Sequence, residues 1–81
     1  MGYHLMARIY GEGGFQVHVW PNDHPPAHVH VIRAEGLVVV DLLTLNIREA
    51  YDMKPKDVRR ACEIVEENRG TFLLEWRRIH G

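Results

Sequence analysis

The chain has 81 residues, 46% hydrophobic and 26% charged, which is enough for one domain and too apolar for a disordered segment. Its single cysteine, Cys62, excludes an internal disulfide, and a formal net charge of −1 excludes the basic balance of a dedicated nucleic-acid binder. The apolar run at 37–40 is far shorter than a membrane span and the first ten residues lack a secretory layout, so the expected setting is cytoplasmic, with no membrane partner.

A first short strand is expected over 7–10, closed by the turn Gly11-Glu-Gly-Gly14. Residues 15–20 then alternate strictly between apolar and polar, the period of a half-buried strand. Pro21, Pro25 and Pro26 interrupt regular hydrogen bonding across the following loop. Residues 28–33 alternate again, Ala34-Glu-Gly36 turns the chain, and 37–43 form a further β-type run. Residues 46–50 read as a short edge strand.

From Pro55 the period changes. Val58, Ala61, Cys62, Val65, Phe72, Trp76 and Ile79 follow helical steps of three and four. Pro55 suits the first helical position, and Asp57 lies in the first turn, where a carboxylate favours the helix dipole. One long helix over about 55–79 is predicted, with a bend or break at Gly70, whose cost against alanine is about 1 kcal/mol. The fold class is α+β: a small antiparallel, meander-like sheet of three to five strands within 7–50, with the helix packed on one face, in a single domain over 1–81. The run 37–43 is apolar on both sides, so it wants either a curled sheet or a covering partner.

Histidine is the unusual residue: 6 in 81, with 4 of them between residues 18 and 30. If 15–20 and 28–33 form a hairpin, Phe15, Val17, Val19, Val29 and Val31 face the core. The opposite face then carries His18, Trp20, His28 and His30. A register pairing Trp20 with His28 also pairs His18 with His30, with opposed Cβ atoms about 4.5–5.5 Å apart. Three imidazoles around one point suit a divalent ion such as zinc or nickel, with His18, His28 and His30 as ligands. Asp23 and His24, in the loop above, are within reach as a base. Charging all three histidines together would be unfavourable, so each should hold its proton less tightly than usual.

Neighbouring motifs fit less well. His28-Val-His30-Val-Ile32 begins like the histidine-triad nucleotide hydrolase signature, but Ile32 stands where its nucleophile belongs. His28-Val29-His30 satisfies the His-hydrophobe-His motif of single-strand nucleases, yet Tyr51 precedes the helix and Tyr3 and Tyr10 lie near the N-terminus. Cys62 sits on the apolar stripe as an inert thiol, and the chain contains no serine.

The stretch Asn22-Asp-His-Pro-Pro-Ala-His-Val-His-Val31 resembles the signature of the small bacterial proteins grouped as domain of unknown function 4160. That pattern is Asp-His-any-Pro-Pro-His-any-His after a strand ending in an aromatic residue, here Trp20. Asp23, His24, Pro26, His28 and His30 fall on it, while Ala27 replaces a second proline. Ile64 to Arg69 and Leu73 to Trp76 are similar to the family's closing helix. The resemblance implies a component of a toxin–antitoxin-like gene pair, hence an interaction module with a protein partner or a second copy of itself. The alternative from the residues is a small metal-dependent enzyme of hydrolase type.

Overall fold

A computed structural model describes residues 7–81. Tyr3 and the rest of the segment before residue 7 lie outside the described residues. Five strands follow one another in chain order and pair as an antiparallel meander: β1 (Ala7–Glu12), β2 (Phe15–Val19), β3 (His28–Arg33), β4 (Gly36–Asp41) and β5 (Ile47–Tyr51). Helices α1 (Pro55–Glu67) and α2 (Arg69–His80) complete an α+β fold. No helix among the described residues is long and apolar enough to cross a membrane.

Alternation sorts the strands into two faces. Val17, Val19, Val29, Val31, Val38 and Val40 are fully buried and cluster with Ala61, Ile64, Val65 and Phe72 of the helices. Each such burial stabilises by about 1.5–3 kcal/mol. The α1 helix lies against β4, and α2 against β2. Phe72 also meets Tyr10 edge to face, with ring centroids 5.6 Å apart. Trp76, nearer the end of α2, borders both faces, because it joins the core cluster and its ring stands 5.3 Å from that of His28.

The helical segment is two helices rather than one, and the break falls at Asn68 rather than Gly70. Asn68 has φ −118° and ψ 17°, outside helical values. Its side-chain amide donates to the Ile64 carbonyl at 2.8 Å, and its backbone N–H points to the same oxygen at 3.1 Å. That local side-chain bond competes with continuation of the helical ladder. Gly70 falls in the first turn of α2, with open space where a Cβ would stand. Ile64, outside the predicted stripe, is fully buried, whereas Val58, Cys62 and Ile79 are only partly covered.

The strand β4 is indeed covered on both sides for most of its length. Val38 and Val40 face the helices, while Val39 is 5% exposed on the other face, opposite His30. Beyond it the chain turns, and Leu43 is 53% exposed. The edge strand β5 carries an irregularity: Val39 pairs with Glu49 but Val40 with Ile47, leaving Arg48 as an extra residue. Such a bulge re-aims a side chain, and here Arg48 reaches the histidine-bearing side of the sheet.

Candidate metal centre

His18 and His30 are direct cross-strand partners, in the predicted register. His18, His28 and His30 are each 6–7% exposed, so their rings are buried although they lie on the face away from the valine core. Trp20, just past β2, lies flat on His30, with centroids 3.9 Å apart and planes 8° from parallel. The His28 and His30 rings meet at 5.3 Å.

These elements bring together Asp23, His28 and His30, whose facing ligand atoms all lie within 4.8 Å of one another. The Nε2 atoms of His28 and His30 stand 3.0 and 2.9 Å from one oxygen, Oδ2 of Asp23. Asp23 is placed by the turn after Trp20, where its backbone N–H donates to the Trp20 carbonyl at 3.0 Å. The His30 Nε2–H donates to Asp23 Oδ2, while His28 Nε2 stands beside the same oxygen with its Nδ1 facing the Pro26 carbonyl. Both separations also suit coordination. Bonds of about 2.0–2.2 Å to one ion place neighbouring ligands about 3 Å apart at right angles and about 3.4 Å apart in a tetrahedron.

The expected third imidazole does not join this trio. The His18 Nε2–H donates to Gln16 Oε1 at 3.1 Å, and its buried Nδ1 has no partner among the described residues. Asp23 takes the third place in the arrangement instead. His24 and Pro26 are exposed in the same loop, where the Pro25–Pro26 peptide is cis. The Pro26 carbonyl lies 2.9 Å from His28 Nδ1.

Burial is the largest influence on both perturbed histidines. It holds His18 below the ordinary histidine value, helped by the charges of Arg8 and His30. It also lowers His30, against the opposing pull of the Asp23 carboxylate and of Glu49, with His28 adding to the lowering. Desolvation thus outweighs the mutual repulsion expected from the sequence.

A second layer of polar residues surrounds His28. Asp41, paired with His28 across β3 and β4, accepts backbone N–H bonds from Leu43 at 2.7 Å and Thr44 at 2.9 Å through Oδ1. Its Oδ2 accepts from Arg48 Nη2 at 3.0 Å. Burial works to raise the Asp41 pKa, but these hydrogen bonds and the Arg48 charge hold it below its ordinary value. Arg48 also donates to the Pro26 carbonyl at 3.0 Å and places Nη1 3.1 Å from His28 Nδ1. Asp41 was missed in the sequence, although a lone carboxylate within an apolar run marks it. Arg48 had no comparable signal, because its reach depends on the bulge.

Asp23, His28 and His30 thus form a group of three side chains that could hold one metal ion. No curated protein and no solved structure matches the chain. The profile of a domain of unknown function, DUF4160, matches residues 14–77, a span that includes the Asp23 loop, the histidine strands and most of both helices. The chain belongs to the DUF4160 family.

Proposed function

We propose that the chain is a divalent-metal protein in which Asp23, His28 and His30 bind one zinc or nickel ion for hydrolytic chemistry. The observation that carries this reading is the convergence of two buried imidazole nitrogens on one carboxylate oxygen, at 2.9 and 3.0 Å. Two imidazoles and a carboxylate form a borderline donor set suited to such ions. An ion held there would supply a Lewis acid and lower the pKa of a bound water. With Asp23 as ligand, His24 on the same exposed loop is the residue left for a general base.

Elemental analysis of protein made without a histidine tag tests the reading. About one equivalent of metal is expected, lost in Asp23→Ala, His28→Ala and His30→Ala but kept in His18→Ala. Metal-free protein that takes up none on dialysis against zinc or nickel would overturn it, as would uptake indifferent to those three changes.

A second reading has its own support. Leu43, Ile47 and Tyr51 are 53%, 45% and 55% exposed, on and beside an edge strand exposed along its whole length. Exposed apolar side chains along a free sheet edge favour a protein-binding role, as in the toxin–antitoxin-like pair implied by the resemblance, with a neighbouring gene product or a second copy as partner. Co-purification with the adjacent gene product, or a dimer by light scattering, is the expected result. A monomer at high concentration that ignores that product would contradict it.

A further inference from the structure

The two edges of the sheet differ. On β1, Ile9 and Tyr10 pack against the core and Glu12 is tied to Arg60 of α1. On the other edge β5 is exposed along its whole length, and among the described residues no sixth strand pairs with it. Such a strand presents a row of backbone groups that templates pairing with another chain. Charged side chains usually blunt an edge of this kind, but both charges of β5 are engaged within their own chain. Arg48 is drawn back to Asp41 and the Pro26 carbonyl, and Glu49 accepts from the Tyr51 hydroxyl at 3.0 Å.

Register decides which backbone groups face outward. The Asp41 N–H donates to the Asn46 carbonyl at 2.9 Å, so Asp41 and, by alternation, Val39 and Leu37 turn their backbone groups toward β5. Their partners Glu49 and Tyr51 face back toward β4. Ala50, opposite Val38, therefore turns its N–H and C=O to the open edge.

A second copy can add to this edge about a two-fold axis normal to the sheet, with each residue opposite one of the same face. With Glu49 on the axis, the two carboxylates oppose each other, and with Arg48 on it the two guanidiniums do, both unfavourable. With Ala50 on the axis the strand matches itself. The smallest side chain of β5 meets its own copy, and the two Ala50 residues exchange a pair of N–H···O=C bonds. On the outer face, Glu49 of each copy stands opposite Tyr51 of the other. Opposed Cβ atoms lie about 4.5–5.5 Å apart, closer than the roughly 6.8 Å between alternate residues of one strand. The Tyr51–Glu49 hydrogen bond can thus pass from within each chain to between chains.

We propose that β5 pairs antiparallel with β5 of a second copy across a two-fold axis at Ala50, joining two five-stranded meanders into one ten-stranded sheet. This rests on the protein-binding reading above and names its partner and register.

Analytical ultracentrifugation of the full chain over a range of concentrations tests it. The directly paired segment is short, so a concentration-dependent dimer is expected rather than a permanent one. Ala50→Pro removes the outward N–H, a change that an edge strand tolerates, and should leave a folded monomer. Tyr51→Glu, at an exposed position, serves if the proline variant folds poorly. It sets like charges opposite each other twice and should weaken association about tenfold. Adding Glu49→Lys to Tyr51→Glu should restore the dimer, because opposite charges then face each other across the axis. A dimer indifferent to these changes, or one lost without rescue by the double variant, would overturn the proposed register. A monomer at every concentration would overturn the proposal too, and if that monomer binds the adjacent gene product the protein-binding reading stands without it.

Discussion

Strands β2, β3 and β4 turn valines toward the helices and histidines, with Val39 and Asp41, toward the other side. Both sides are buried, but by different means. On the valine side there is little to satisfy except shape, and Phe72, Ile64 and Val65 fill it from the helices. On the histidine side every polar atom that leaves water needs a partner, and several lack one among the described residues: the Nδ1 atoms of His18 and His30 and the Trp20 Nε1 are buried without hydrogen bonds there. A buried unmade hydrogen bond costs about 1–3 kcal/mol. One face therefore holds the fold, and the other is a face that the fold has to support.

This contrast breaks most visibly at Phe72. Phe72→Ala should cost about 3–5 kcal/mol in urea unfolding, a large share of the roughly 5–15 kcal/mol available to a small domain. A loss under 1 kcal/mol would show that the helices do not carry the core. On the other face, Asp23→Asn removes the charged acceptor of the His30 ring N–H and should cost about 1–2 kcal/mol. A cost equal to that of Phe72→Ala would erase the distinction between the faces.

Acidification separates the faces without mutation. His18, faced by Arg8 and His30, and His30, faced by Asp23, His28 and Glu49, both lie below the ordinary histidine value of 6.5. A lowered histidine binds its proton more readily in the unfolded chain. Stability is therefore complete above about 6.5 and is lost as pH falls from there through the lowered folded values. Unfolding followed from pH 8 to 5 should show this decline, and His18→Gln should lessen it. A flat profile across that window would contradict the burial of the two rings. The smallest effect concerns the helix break: Asn68→Leu, which removes the bond to the Ile64 carbonyl, should change stability by under about 1 kcal/mol. A loss of several kcal/mol would make the break a structural requirement.

The strands were legible because period-two alternation runs through 15–20 and 28–33, and that same alternation put His18 opposite His30. His28 and His30 on their strand, with Asp23 in the loop before it, were likewise visible as neighbours. What alternation does not carry is direction within a face. His18 shares the face and turns to Gln16, while Asp23, from a loop of irregular backbone, completes the trio. Arg48 escaped for a related reason, since a one-residue bulge opposite Val39 and Val40 has no signature in residue type. The helix break was expected at the flexible glycine, yet it was set by Asn68, whose side chain offers the backbone an alternative bond.

The central claim is the identity of the three ligands, and crystals grown with zinc test it most directly. Anomalous scattering at the zinc edge should place one ion about 2.0–2.2 Å from His28 Nε2, His30 Nε2 and the Asp23 carboxylate. An ion found only on other histidines such as His24 or His80, or no ordered ion at all, would contradict the account.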